Sequence, residues 1–217
     1  MSRILLACSF VAALCSAASA DRAYVPSHFA QPPVAESVAA PSLDRAAIRD
    51  ALLRAREANL EAFRAYVRGG VFPSNVYKPG ALNVWRDQDG HYCAAATIIK
   101  QSGQDELVAR VADQNNFIRL ADVQQGPLMD WILTSGLTQE EIVEIQKPFM
   151  PVTERPQPVP VAHVDIDANL RTQENARLRA KYKAVDKMIV EHQKQSLDIA
   201  VDRLMKHPTL AWNLIAG

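Results

Sequence analysis

Residues 167–206 read DANLRTQENARLRAKYKAVDKMIVEHQKQSLDIAVDRLMK and contain neither proline nor glycine. Because these two residue types most often interrupt helices, the stretch predicts one continuous α-helix that Asp165 or Asp167 caps. His207 and Pro208 follow and are expected to end it. At about 1.5 Å per residue this helix would be about 60 Å long, which is longer than a small domain is wide.

The apolar residues of this predicted helix have a heptad-like spacing. Leu178, Tyr182, Val185 and Ile189 alternate four and three positions apart, which is the a and d spacing of a coiled coil. The regular spacing lasts about two heptads and then shifts phase. We expect this interaction seam either to pack along its own domain or to mediate self-association or contact with a protein partner. The length of the helix favours a seam that is partly left for another surface.

A proline-rich stretch lies before the predicted helix. Residues 150–164 include Pro151, Pro156, Pro158 and Pro160, a composition typical of an extended polyproline linker. Such a linker would separate residues 165–217, which comprise the long helix and a short apolar tail, from the preceding chain.

Residues 42–149 have the pattern of a helical globular core. Apolar residues recur at helical spacing over residues 43–68, with Ser42 as a suitable N-cap and the Gly69-Gly70 pair as a stop. Four shorter segments with helical patterns follow, bounded by glycines and prolines: residues 93–100, 105–112, 127–133 and 138–145. The last of them opens with Thr138 and Glu141 at the spacing of a capping box. Helices this short are stable only when they pack on one another.

Strand character is confined to residues 71–92. Leu82-Asn83-Val84-Trp85 is β-prone, and Asp87-Gln88-Asp89-Gly90 is a turn tetrapeptide of the kind that closes a hairpin. The sequence therefore predicts a mainly α fold. It has a core of short helices, two long helices and a small β-hairpin as a candidate addition.

The N-terminal residues have the order of a secretory signal peptide. Arg3 is followed by an apolar run over residues 4–14 and by the small residues Ala18-Ser19-Ala20. The apolar run is about a dozen residues long, whereas a membrane-spanning helix needs about 20. We expect residues 1–20 to be cleaved before Asp21 and the protein to be exported to a bacterial periplasm or the extracellular space. Residues 21–41, rich in proline and alanine, would form an extended arm.

Charge and hydropathy argue against a nucleic-acid partner and against a membrane-spanning segment. The chain has 24 lysines and arginines against 24 aspartates and glutamates, so its formal net charge is zero. Nucleic-acid binders usually carry a clear basic excess, so no nucleic-acid partner is expected. No apolar run after the signal peptide approaches about 20 residues, so no transmembrane segment is expected in the mature chain.

Cys93 is the candidate catalytic residue. Removal of residues 1–20 leaves it as the single cysteine, at the predicted start of a helix whose dipole favours a thiolate. Gln88 lies five positions upstream, and His163 lies downstream near Asp165. The arrangement is similar to that of papain-like cysteine peptidases, in which the nucleophile opens a helix and an upstream glutamine helps to bind the oxyanion. That resemblance implies a catalytic set of Cys93, His163 and Gln88. A lone cysteine among alanines is also typical of a buried core residue.

The sequence contains no metal-binding motif. Asp87-Gln88-Asp89-Gly90 is similar to part of a calcium loop, but the EF-hand pattern needs acids where this chain has Trp85 and Ala96. The five histidines are scattered, without a pair at metal-ligand spacing beside a carboxylate. We therefore predict no metal site and no cofactor.

These observations predict an exported, non-enzymatic helical protein with an interaction or structural role in the bacterial envelope or extracellular space. Its long C-terminal helix would contact a second copy or a partner protein. The alternative is a cysteine-nucleophile hydrolase of the papain-like type that uses Cys93. The exposure of Cys93, and a histidine within hydrogen-bond reach of it, would distinguish the two.

Overall fold

The computed structural model describes residues 43–157 and 163–216. The predicted signal peptide (residues 1–20), the predicted arm (residues 21–41), the expected N-cap Ser42 and residues 158–162 of the predicted linker lie outside these ranges. The described chain is mainly helical, as predicted, and contains no β-sheet. Its elements in chain order are α1 (Arg45–Gly69), α2 (Ala94–Gln101), α3 (Asp105–Gln114), a 3-10 turn (Leu120–Asp122), α4 (Pro127–Thr134), α5 (Gln139–Ile145), α6 (Ala168–Glu191), α7 (Gln193–Leu204) and α8 (Pro208–Ala216). No helix within the described ranges has both the length and the apolar character needed to cross a membrane.

Helix α1 is the long N-terminal helix that the sequence predicted. Its N-cap is Asp44, not the expected Ser42, and the Asp44 carboxylate accepts a hydrogen bond from the Ala46 N–H at 2.8 Å. The helix ends where Gly70 takes a left-handed conformation with φ 66°. Glycine adopts that conformation without the steric cost that other residues meet, so the predicted stop is confirmed.

The four predicted short helices are present as α2 to α5. Pro127 occupies the first turn of α4, where its missing N–H is not needed. Helix α5 begins with the predicted capping box. The Thr138 side chain accepts the Glu141 N–H at 3.2 Å, and the Glu141 carboxylate accepts the Thr138 N–H at 2.8 Å.

The candidate β-hairpin is reduced to a turn with one isolated bridge. Arg86 pairs with Tyr92 across the expected turn, but the Trp85 N–H donates to the Asn116 carbonyl at 2.8 Å. Leu82 forms its own antiparallel bridge with the distant Phe149. Across the turn, the Asp87 N–H donates to the His91 carbonyl at 3.0 Å and the Cys93 N–H donates to the Trp85 carbonyl at 2.9 Å. Beyond these bonds the β-prone segment pairs with other parts of the chain, and no longer ladder extends from the turn.

The prediction of one continuous C-terminal helix is wrong, because the helix is interrupted at His192 and forms two helices, α6 and α7. Arg56 of α1 donates from Nη2 to the Ile189 carbonyl at 2.7 Å, one turn before the break. A side chain inserted into the backbone ladder is a known cause of a helix break. With 24 residues, α6 is about 36 Å long.

The seam of α6 is buried in this chain's own core. Leu178, Tyr182, Val185 and Ile189 are 0%, 1%, 4% and 0% exposed. The Tyr182 ring packs against Phe63 of α1 with ring centroids 5.5 Å apart. The prediction that part of this seam is left for another surface is therefore wrong for these four residues, because the shorter α6 lies along the core.

The C-terminal helices and the segment before the proline-rich stretch share one hydrophobic core. Ala211 of α8 is fully buried, so the apolar tail docks onto the same core. The described part of the proline-rich stretch also packs there. Val152 is 0% exposed, and its N–H donates to the Asn75 carbonyl at 3.2 Å. The Val152 carbonyl in turn accepts the N–H of Asp167, the N-cap of α6, at 2.9 Å.

Candidate functional site

Cys93 is a buried N-cap residue. It is 1% exposed, and its Sγ accepts the Ala96 N–H at 3.4 Å at the start of α2. Burial raises the pKa of the Cys93 thiol to about 12, and the opposing hydrogen bonds from Ala96 and Ala95 are weaker than that effect. At neutral pH Cys93 is therefore a protonated thiol inside the core, not a thiolate nucleophile.

Two tyrosines beside Cys93 share this apolar environment. The Tyr66 and Tyr182 rings pack edge to face with centroids 5.8 Å apart. Burial is the largest cause that raises the pKa of both hydroxyls, and proximity to Cys93 also raises both. All three groups are thus held in their neutral forms by the core.

Gln88 and His163 are brought into the same surface region but are not bonded to Cys93. The Gln88 amide donates to the Val164 carbonyl at 2.9 Å and accepts the Val164 N–H at 3.0 Å. His163 Nδ1 lies 3.5 Å from Asp89 Oδ1. Among the described residues no histidine is hydrogen-bonded to the Cys93 thiol. The three residues do not form the catalytic arrangement that the papain-like resemblance implied.

Asp87 organises the surface turn that follows Trp85. It is 5% exposed, and its Oδ1 accepts the N–H groups of Asp89 and His91 at 3.0 and 2.8 Å. Its Oδ2 accepts the Ser74 N–H at 2.9 Å and lies 3.3 Å from His91 Nδ1. A carboxylate that accepts this many donors fixes the backbone of the turn.

This turn gathers side chains of the types that bind metals. Asp87, Asp89 and His91 each offer one ligand atom, and those atoms lie within 4.8 Å of one another. Burial first, and then the Asp87 and Asp89 charges, raise the pKa of the nearby Tyr77 hydroxyl. The sequence pattern of Asp87 and Asp89 was compared only with a calcium loop, and no metal site was predicted there. The sequence does show Asp87, Asp89 and His91 at alternate positions. The approach of His163 to them depends on tertiary packing, which the sequence does not show.

A second polar group lies deep between the helices. Arg56 is 0% exposed and binds the Glu141 carboxylate through two hydrogen bonds of 2.8 and 2.6 Å. It also donates to the Gly136 carbonyl at 3.0 Å and to the Ile189 carbonyl at 2.7 Å. The Ser196 hydroxyl donates to Glu141 at 2.8 Å. This buried charged network joins α1, α5, α6 and α7, and nothing in the sequence pattern indicated it.

Gly136 lets the chain approach α1 at this network. Its φ is 73°, and a Cβ placed there would lie 2.0 Å from the Leu52 carbonyl oxygen and 2.8 Å from the Arg56 nitrogen. Both neighbours are backbone atoms that cannot move aside easily. Glycine is therefore required at this position.

A groove lies above this network, between α5 and the α6–α7 pair. It has a volume of about 590 Å³, and its apolar lining includes Val185, Met188 and Ile199. A second cavity of about 580 Å³ continues past Ile199 along α5. The two share Thr138, Glu140, Glu144 and Ile199 as lining residues, so they form one elongated surface, which we call the α5 groove.

No protein-family model, curated protein or solved structure matches this chain. Inferences about its function rest on three features of the structure itself. These are the buried thiol of Cys93, the cluster of ligand-type side chains at the Asp87 turn, and the α5 groove.

Proposed function

We propose that this protein is an exported, non-enzymatic helical protein that acts by binding a helix of a partner protein in the α5 groove. The α5 groove is the observation that carries the proposal. Its base is apolar, and Ile199 at its centre is 41% exposed. Exposed apolar side chains within a concave surface are typical of binding sites.

The shape and charge of the α5 groove favour a helix as its occupant. The two adjoining cavities share Ile199 and one wall, α5, so the apolar surface follows the direction of a helix. Glu140 lies on the α5 wall and Lys181 on the α6 wall, and both are exposed. An amphipathic helix with a basic edge towards Glu140, an acidic edge towards Lys181 and apolar residues between them would complement this surface.

The state of Cys93 supports a role without catalysis. A thiol hydrolase needs an accessible thiol of lowered pKa with a base beside it. Cys93 is buried and its pKa is raised to about 12. The signal-peptide pattern of residues 1–20 supports export to a periplasm or the extracellular space, which we keep as part of the proposal.

The proposal is tested with a photo-crosslinking amino acid in place of Ile199, in cells that naturally export the protein. The expected product is one discrete adduct with another protein, whose formation falls when Glu140→Lys or Lys181→Glu reverses a wall charge. Val71 is the matched control position, because it is 54% exposed and does not line the α5 groove. N-terminal sequencing of the exported product should start at Asp21.

Four results would contradict the proposal. Residue 199 could give no protein adduct, or an adduct that is equally strong in both charge-reversed variants. An adduct with the mass of two copies of this chain would replace the partner protein by self-association. Recovery of the full-length chain from the cytosol alone would reject the export part.

A further inference from the structure

Two carboxylates and one imidazole meet at the Asp87 turn, and a second imidazole approaches one of the carboxylates. Asp87, Asp89 and His91 come from the turn itself, with ligand atoms within 4.8 Å of one another. His163 comes from a distant part of the sequence, and its Nδ1 is 3.5 Å from Asp89 Oδ1. Imidazole nitrogen and carboxylate oxygen are both ligands of zinc in proteins.

The spacing within the cluster fits two pairs of neighbouring ligands. His91 Nδ1 and Asp87 Oδ2 are 3.3 Å apart, and His163 Nδ1 and Asp89 Oδ1 are 3.5 Å apart. Most N–H···O hydrogen bonds are shorter, at about 2.9–3.0 Å. Two ligand atoms that each lie about 2.1 Å from a tetrahedral zinc ion are about 3.4 Å apart. Both pairs therefore have a separation that neighbouring ligands of a tetrahedral site also have. His163 contacts the group through Asp89 and lies outside the set of ligand atoms within 4.8 Å of one another, so its imidazole would turn towards the ion on binding.

Contacts outside the two imidazoles hold the cluster in place. The Asp87 carboxylate is fixed by the N–H groups of Ser74, Asp89 and His91 at 2.8 to 3.0 Å. The Gln88 amide fixes Val164, the residue after His163, through its two hydrogen bonds. Both chain segments are thus positioned before an ion arrives, which lowers the entropic cost of binding.

We propose that Asp87, Asp89, His91 and His163 bind one divalent transition-metal ion of the zinc class. Two nitrogen and two oxygen donors suit such ions, whereas Ca²⁺ and Mg²⁺ prefer oxygen ligands alone. The side chains of His91 and His163 are 39% and 62% exposed, so an ion can reach them from solvent. The bound ion would neutralise the two carboxylates and fasten the segment that leads into α6 to the Asp87 turn.

The test is titration of Zn²⁺ into the untagged mature chain by calorimetry, with Co²⁺ absorption as a second readout of coordination. We expect one ion per chain and visible Co²⁺ bands typical of a four-coordinate site. His91→Ala, His163→Ala and Asp89→Asn should each weaken binding by about tenfold or more. His192→Ala and His207→Ala are matched controls that should leave binding unchanged. Circular dichroism establishes that each variant stays folded, which is expected because both cluster histidines are partly exposed.

The proposal is overturned if the folded wild-type chain binds no Zn²⁺. It is also overturned if His163→Ala binds as tightly as the wild type, because the ion then does not join the two segments. Displacement of Zn²⁺ by an equal concentration of Ca²⁺ would reject the zinc-class assignment. None of these readouts depends on the α5 groove, so this inference and the proposed function fail independently.

Discussion

At the scale of single residues, Cys93 is subject to two opposing influences. Its position at the start of α2 and the Ala96 N–H at 3.4 Å favour a thiolate. Burial removes the water that would solvate the charge. The effect of burial is larger, because the pKa of Cys93 rises to about 12. Sequence reasoning identified the helix start, but it could not determine the exposure on which the outcome depends.

This raised pKa predicts a pH-dependent stability. The pKa of a cysteine in an unfolded chain is about 8.5. Between that pH and about pH 12, the unfolded chain has lost the thiol proton that the native chain retains. The contribution of Cys93 is fully present below the unfolded pKa and is lost as the pH rises through this window. Unfolding free energy should therefore fall with pH by about 1.4 kcal/mol per unit more in the wild type than in Cys93→Ala.

Urea unfolding of both proteins at about pH 8 and about pH 10.5, on either side of the cysteine's ordinary pKa, measures this difference. Tyr66 and Tyr182 have raised pKa values in the same direction. They remain in both proteins, so comparison with Cys93→Ala isolates the thiol. Parallel pH profiles for the two proteins would contradict a buried, protonated Cys93.

At the scale of elements, helix ends that depend on neighbouring residues can be predicted from the sequence, whereas a helix break that depends on a distant side chain cannot. The Gly70 stop and the capping box of Thr138 and Glu141 are properties of neighbouring residues, and both were predicted correctly. The break at His192 coincides with a contact from Arg56 of α1 to the Ile189 carbonyl. No pattern within residues 167–206 records a side chain that arrives from another helix.

Arg56 is expected to be essential for the packing of these helices. Arg56→Met keeps an apolar side chain of similar length but leaves the buried Glu141 carboxylate without its counter-charge. Removal of one partner of a buried ion pair costs about 3–5 kcal/mol. Glu141→Gln in the same chain should recover much of this loss, because glutamine is neutral and still completes a capping box.

Urea unfolding of the wild type, the two single variants and the double variant gives the coupling free energy. The expected result is that the double variant is more stable than Arg56→Met alone. A double variant whose loss equals the sum of the two single losses would show that the Arg56 and Glu141 charges are not coupled.

At the scale of the whole molecule, the C-terminal third belongs to the core. The proline-rich composition and the unbroken helical pattern predicted a linker and a long separate helix. Val152 is instead buried, and α6 places Leu178 and Ile189 among the core residues of α1 to α5. The four seam residues were predicted to share one face of a helix, and they are buried together on α6. The burial partner of the seam could not be predicted, because an apolar stripe has the same sequence whether it contacts its own chain or another.

For the candidate catalytic residues too, the sequence indicated the residues but not their contacts. Sequence reasoning selected Gln88 and His163, and the structure does bring them to one surface region. It assigned them to the wrong neighbour. Gln88 binds the Val164 backbone, and His163 approaches Asp89 instead of Cys93. Residue type and spacing can indicate which side chains carry chemistry, but the pairing depends on how the chain packs.

The most direct test of this account is the double variant Val185→Asp/Ile189→Asp, with Val190→Asp as the control on the same helix. Val185 and Ile189 are 4% and 0% exposed, whereas Val190 is 48% exposed. The measurement is urea unfolding by circular dichroism, with molecular mass from light scattering. Because the double variant places two charges in the core, it should lose at least about 4 kcal/mol, whereas Val190→Asp should change stability by about 0.5 kcal/mol or less. A double variant that keeps the wild-type unfolding transition but has a lower mass than the wild type would place the seam between copies and contradict the account.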